Sequence, residues 1–329
     1  MIISASRRTD IPAFYANWFF NRLKEGFVVT RNPFNAKQLS KIRLDSSVVD
    51  AIVFWTKNPA PMIDRLKLID EKNIPYYFQF TITPYKKDLE PGLPINKNEL
   101  IETFKILSSS LGSDRVIWRY DPILFNERYT PDYHKRAFSY LARSLSGYTN
   151  KCVISFLDMD YNNTKNIDVL GITDGSAQQK NEIAKVFSAI ATEANIVVET
   201  CAEEINLEEC SIKHGCCIDA DLIEKISGKK LISKGRKKDP NQRALCGCIG
   251  SIDIGMYNTC KHGCAYCYAN YSKGNIQNNC KMHNPISPLL LGECDASKLN
   301  FKKDQRSFFE NSSNTPKQLR LLDELRGNS

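Results

Sequence analysis

The chain has 329 residues, of which 42% are hydrophobic and 25% charged, with a formal net charge of +8. That length can bury a large core, either one big α/β barrel or two medium domains, and the composition is that of a soluble globular protein. No apolar run approaches a membrane span, and Arg7-Arg8 is followed by Thr9, Asp10 and Pro12 where a twin-arginine leader would need an apolar stretch. The expectation is a cytoplasmic protein with no membrane partner.

Taken in chain order, apolar strand-like runs alternate with helical patterns. The first strand is read at Ile2–Ser6. A helix follows over Ile11–Lys24, with Asp10 as its cap and Pro12 in its first turn. A strand at Ala51–Trp55 precedes a helix at Met62–Lys72, where Ile63, Leu66 and Ile69 recur at helical spacing. A strand at Tyr76–Thr83 leads to a helix at Asn98–Leu111. Arg115–Arg119 and Cys152–Phe156 read as strands separated by a helix at Asp132–Ser146. Gln179–Ala194 reads as a helix before a strand at Ile196–Thr200, and Ser251–Tyr257 is a seventh strand. This βαβα rhythm predicts a parallel sheet, and six or more repeats predict an α/β (β/α) barrel or partial barrel. Residues 1–284 are read as one barrel-like domain whose part from 201 to 284 is cysteine-rich. Residues 285–329 read as a polar tail, mobile at Asn311–Pro316, with a short helix at Lys317–Leu325.

Twelve cysteines are many for a reducing compartment, where metal binding explains them better than disulfides. Cys152 lies in an apolar strand and is expected in the core; the other eleven fall between Cys201 and Cys294. The run Cys260-Lys-His-Gly-Cys264-Ala-Tyr-Cys267 directly follows the seventh strand. Three thiolates can hold three irons of a [4Fe-4S] cluster and leave the fourth iron open to a substrate. Two other readings use Cys280 as a fourth ligand: a closed zinc site, or a closed electron-transfer cluster. His262 is read as a loop residue. Cys201, Cys217, Cys246 and Cys248 make a possible second set, for an auxiliary cluster or a structural zinc, with Cys216 and Cys210 as alternatives.

The C-x3-C-x2-C spacing, with Tyr266 before the last thiol, resembles that of radical S-adenosylmethionine (SAM) enzymes. The resemblance implies a cluster at Cys260, Cys264 and Cys267 that cleaves SAM reductively to a 5′-deoxyadenosyl radical, which acts on a substrate the sequence does not name. It also implies a reductant such as flavodoxin or ferredoxin. In those enzymes the motif follows the first strand; here it follows the last, as in a circularly permuted barrel, which would set that strand beside Ile2–Ser6.

Function in parallel barrels collects at the C-terminal strand ends, and here these are polar. Arg7, Arg8, Lys57 or Arg119 could neutralise the SAM carboxylate, and Asp121, Asp158 or Glu199 could bind its amine or ribose. The competing expectation is that these charges pair with one another at the rim. Trp55 and Trp118 are read as packing residues. The basic run of Lys229, Lys230, Lys234, Arg236, Lys237, Lys238 and Arg243 reads as a solvated loop, with nucleic-acid contact as the alternative. A non-catalytic zinc or iron–sulfur protein is thus the second reading of the whole chain.

The chain also resembles the DUF1848 family, a family without an assigned reaction. The resemblance is carried by the segment from Ile2 to Pro12, Phe54-Trp-Thr-Lys-Asn-Pro59, Arg119-Tyr-Asp-Pro-Ile123, Cys246-Gly-Cys248, Asp253-Ile-Gly255 and Cys260 to Tyr271. It implies the fold and the cofactor class, not the substrate.

Overall fold

The apolar runs do form strands, and their side chains alternate between two buried faces. The computed structural model of the protein describes residues 1–159 and 168–310. Ten strands occur among them: β1 (Ile2–Ala5), β2 (Phe27–Asn32), β3 (Asn35–Arg43), β4 (Ala51–Thr56), β5 (Tyr76–Thr81), β6 (Val116–Ile123), β7 (Lys151–Phe156), β8 (Val197–Thr200), β9 (Lys213–His214) and β10 (Ser251–Asp253). Eight of them make one sheet in the order β10-β1-β4-β5-β6-β7-β8-β9. All of its pairings are parallel. The first and last of the strands read from sequence are neighbours, with Ile2 opposite Ser251 and Ser4 opposite Asp253. The edges of this sheet are β10 and β9, so hydrogen bonding among the described strands does not close a ring.

One face of the sheet carries Ile3, Ala5, Ile52, Phe54, Phe78, Trp118 and Ile154, which form the main core with the helices. Three long helices cover this face at Asn98–Leu111, Pro131–Leu145 and Ala177–Glu193. Their starts follow local chemistry: Thr130 caps the second with Pro131 in its first turn, and Ser176 and Gln179 form a capping box on the third. Phe138 and Phe187 stack between those two helices at 3.8 Å.

The alternate positions, Ile2, Ala51, Val53, Tyr77, Ile117 and Val153, pack instead against Ala202, Cys217, Ile218, Ile223, Leu231, Cys246, Cys248 and Ile249. The cysteine-rich segment therefore covers the second face. A parallel sheet requires cover on both faces, and here that cover is one short helix, Ala220–Ser227, in otherwise irregular chain rather than a second helical layer.

Several elements differ from expectation. The helix predicted over Ile11–Lys24 is two helices, Ile11–Phe14 and Ala16–Glu25, because Tyr15 leaves helical geometry at φ −131°. Its hydroxyl is drawn to the Thr259 carbonyl at 2.6 Å. The helix at Met62–Lys72 is two short turns, Ala60–Ile63 and Lys67–Asp70. The antiparallel hairpin β2–β3 and the two-residue β9 were not read from the sequence. Cys152 is a core residue as expected.

Residues 285–310 are irregular but not loose. The Trp18 indole donates to the Ser287 and Leu289 carbonyls at 3.0 Å, Val29 N–H donates to Pro288, and Leu289, Leu290 and Leu291 are buried. The expectations for Asn311–Pro316 and Lys317–Leu325 lie outside the described residues. Among the described residues no helix is long and apolar enough to cross a membrane. Leu290 belongs to the main core, so Leu290→Ala is expected to cost ~2–5 kcal/mol. Urea unfolding would show this as a lower midpoint at unchanged slope.

Candidate functional site

The loop after β10 carries Cys260, Cys264 and Cys267, and three carboxylates, two of them buried, fix it to the rest of the sheet. Asp253, at the end of β10, accepts from Ser4 (3.0 Å), Ser6 (2.6 Å), the Arg7 N–H (2.8 Å) and the Gly255 N–H (2.9 Å). Gly255 is required there, since a Cβ would sit 2.1 Å from Ser6 Oγ. Asp10 caps its own helix through the Ala13 N–H (3.0 Å), and also accepts from Thr56 (2.7 Å) and the Lys57 N–H (2.7 Å). It pairs with His262 Nε2 at 2.8 Å. His262 is therefore a loop residue tied to Asp10 through Nε2, while its Nδ1 is buried without a hydrogen-bond partner.

Glu90 is the third. It meets Lys57 at 2.7 Å, Lys97 at 2.7 Å and Thr83 at 2.6 Å, and it accepts a short hydrogen bond from Tyr266. Burial alone would raise its pKa, but the two ammonium groups hold it down at about 2. The same region approaches the thiol loop by backbone: Gly92 N–H donates to the His262 carbonyl at 2.8 Å, and a Cβ on Gly92 would lie 2.5 Å from that oxygen. Asn258, in the left-handed region at φ 55°, closes the loop by accepting from the Tyr271 and Ser272 N–H groups at 3.0 and 3.2 Å.

The three thiols of the loop interact electrostatically. Burial pushes all three up, Cys264 to about 12 even with Lys57 opposing it. Cys280 Sγ faces the Thr259 carbonyl and the Tyr15 hydroxyl, each at 3.8 Å. Among the described residues no three His, Cys, Asp or Glu side chains stand as a ready-made ion-binding shell. The donor set still fits an iron–sulfur group: three thiols on one partly buried loop, with a lysine beside the middle one.

The strand-end charges of the other elements form a second cluster. Arg119 on β6 pairs with Asp121 at 2.6 Å and donates to Cys217 Sγ at 2.8 Å and to Gln79 at 3.3 Å. Asp121 in turn accepts a very short hydrogen bond from Ser155. Arg7 interacts electrostatically with Cys248, and the Arg7 and Arg119 guanidiniums lie over the Trp55 ring at 5.1 and 5.2 Å. Trp118 is core packing, as read; Trp55 is instead a platform shared by two arginines.

The remaining expected residues go elsewhere. Arg8 lies over Tyr257, Asp158 pairs with Arg243 at 2.8 Å, and Glu199 pairs with Lys151 at 3.0 Å. The rim-pairing expectation thus describes Lys57, Asp158, Glu199 and the Arg119–Asp121 pair, and Arg7 shares the Trp55 ring with that pair. In the basic run, Lys230 and Arg236 pair with Glu224, and Arg243 with Asp158. Cys201, Cys217, Cys246 and Cys248 do converge. Cys210 donates to the Asn181 carbonyl instead, and the burial that raises Cys216 to about 12 is set beside Asp219 and Lys151.

The model of a family described as "Domain of unknown function (DUF1848)" matches residues 2–269 of the chain. The chain belongs to the DUF1848 family. No curated protein matches it. Among solved structures it is similar to a candidate alpha-L-fucosidase from Bacteroides thetaiotaomicron, at 12% identity over 60% of this chain and 80% of that one, with a TM-score of 0.25. So distant a likeness bears on neither fold nor function.

In this DUF1848 protein, sequence reading gave no role to Glu90 or Glu203, none to Asp10 beyond its cap, and met Asp253 only within the family motif Asp253-Ile-Gly255. Glu203 follows β8 and accepts from the Phe156 N–H at 2.9 Å; burial raises it to about 7. The raised value means that charging Glu203 destabilises the fold progressively as pH rises from about 4.5 to about 7. Glu203→Gln should therefore melt above the wild type at pH 8, by on the order of 2 °C, with the gap closing below pH ~4.5. Glu90 has the opposite sign. Its ionisation stabilises the fold fully above about 4.5 and less as pH falls towards about 2. Glu90→Gln leaves two ammonium groups without their counter-charge and should cost ~3–5 kcal/mol at pH 7. Urea unfolding should show this cost fading as the pH drops below 4.5.

Proposed function

We propose that this DUF1848 chain is a radical SAM-type enzyme whose [4Fe-4S] cluster is held by Cys260, Cys264 and Cys267. The observation that carries the reading is the loop itself: it leaves the end of a parallel strand and is fixed by Asp10, Glu90 and Asp253 to three other strand-end segments. Such a cluster, when bound, gives one electron to SAM at its open iron and releases a 5′-deoxyadenosyl radical for hydrogen abstraction.

The chain's own residues would prepare that chemistry. Tyr266 and Lys57 are locked together at 3.0 Å on Glu90, which holds a positive charge beside Cys264. Arg7 Nη2 and the Trp55 indole N–H are buried donors without hydrogen-bond partners. They suit the SAM carboxylate, with Arg119 also over the indole and Asp121, its partner, beside it for the amine. Arg8 beside Tyr257 is a further cation near the loop. Glu203, raised to about 7, can hold or release a proton at neutral pH.

In this reading the sheet is a partial (β/α) barrel, permuted so that the cluster strand comes last. Support comes from contacts made on its second face by the chain between β9 and β10: Tyr77 and Gln79 donate to the Cys217 carbonyl at 2.8 and 2.9 Å. A one-electron donor of the flavodoxin or ferredoxin type would serve as reductant.

The test is direct. Protein reconstituted anaerobically and given dithionite and SAM should release 5′-deoxyadenosine, and Cys264→Ala should reduce this to background. Undiminished release from the variant, or none from an iron-loaded wild type, would overturn the assignment.

A further inference from the structure

The second thiol group lies outside the loop just discussed. Its members come from three places: Cys201 after β8, Cys217 after β9, and Cys246 and Cys248 in the turn before β10. Cys217, Cys246 and Cys248 are each less than a tenth exposed. Cys201 and Cys217 Sγ are 3.5 Å apart, and Cys217, Cys246 and Cys248 belong to one buried cluster with Cys201 packed against it. The segments that bring them together are 16 to 47 residues apart in sequence and share no regular element. Hydrophobic packing explains burial of single cysteines, but it gives no reason for four thiols from three segments to gather in one place.

Their surroundings are those of thiolates. The Ile218 N–H donates to Cys248 Sγ at 3.3 Å, Arg119 donates to Cys217 Sγ at 2.8 Å, and the Arg7 guanidinium interacts electrostatically with Cys248. Backbone N–H groups and cations around sulfur are what a metal-bound thiolate recruits as outer partners. Four thiolates around one divalent cation carry a net charge of −2, which two guanidiniums, one of them shared with Asp121, largely offset. Gly247 lets the Cys246–Cys248 turn close down, since a Cβ there would lie 3.3 Å from Cys216 Cβ and from the Gly215 carbonyl.

Spacing selects the kind of centre. Four sulfurs at ~2.3 Å from one tetrahedral zinc are about 3.8 Å from each other. The 3.5 Å contact between Cys201 and Cys217 is close to that, whereas thiolates bound to separate irons of a cubane stand well beyond contact.

We infer that Cys201, Cys217, Cys246 and Cys248 form a closed, mononuclear four-thiolate zinc site that pins the cysteine-rich segment to the second face of the sheet. On binding, Zn²⁺ replaces the thiol protons, which are released to solvent, and no electron is transferred. The site is structural and independent of the cluster at Cys260, Cys264 and Cys267.

Protein purified without oxygen and without added metal would be analysed by plasma mass spectrometry. About one zinc per chain is expected in the wild type and in Cys264→Ala, and its loss in Cys248→Ser. Since Cys248→Ser can fail to fold, the wild type and Cys264→Ala provide the second measurement. X-ray absorption at the zinc edge should show four sulfur neighbours at ~2.3 Å in both. Absence of zinc from both, mixed nitrogen or oxygen ligation, or full zinc retention in Cys248→Ser would overturn the inference. Loss of zinc in Cys264→Ala alone would place the ion at the other loop and overturn it equally. None of these outcomes depends on whether SAM is cleaved.

Discussion

A parallel sheet buries both of its faces, and meeting that requirement organises this protein. One face is covered in the ordinary way, by helices packed on Phe54, Phe78 and Trp118. The other is covered by the chain between β8 and β10, which is too short of regular structure to form a helical layer of its own. Such a cover has little apolar surface per residue and many backbone polar groups to satisfy. It obtains them from the sheet: the Cys217 carbonyl accepts from both Tyr77 and Gln79, and the Asp219 N–H donates to the same tyrosine. The thiols occupy the part of this cover that faces the polar ends of the strands.

The polar ends are in turn a solution to a charge problem. Arg119, Lys57 and Glu90 are all buried or nearly so, and each would be costly unpaired. The pairing is not random. Carboxylates at 10 and 90 each gather donors from at least two segments distant in sequence, and that at 253 from the segment 4–7, so the conformation of the loop at 260–267 is fixed largely by residues far from it in the chain. Ligand-binding loops on a rigid scaffold are the usual arrangement, but here the rigidity is electrostatic as much as steric.

The strands were legible because a doubly buried strand leaves a continuous apolar run, and all seven runs read from sequence are strands of the sheet. The adjacency of first and last strands was also legible, from the position of the thiol loop. The β2–β3 hairpin was not, because much of β3 is exposed and its polar residues give no strand pattern. The helix break at Tyr15 was hidden because its cause, the Thr259 carbonyl, lies 244 residues away. Among site residues, the cysteines were legible by spacing. Glu90 carries no local signal: it sits in a loop and matters only because Lys57, Lys97 and Tyr266 converge on it. Strand-end position brought Arg7 and Arg119 into view but could not separate them from Glu199, whose partner Lys151 belongs to the neighbouring strand.

The pairing of β1 with β10 has a temporal side. During synthesis β1 emerges first and gains β4 on one flank within some fifty residues, but its other flank waits for a strand centred 249 residues further on. At ~5–20 residues per second, that edge stands unsatisfied for roughly 12–50 s. An uncovered strand edge is a template for wrong partners, so this molecule spends its nascent life with its most exposed backbone beside the arginines of its future centre. The loop of Cys260 likewise appears only after the strands whose ends surround it.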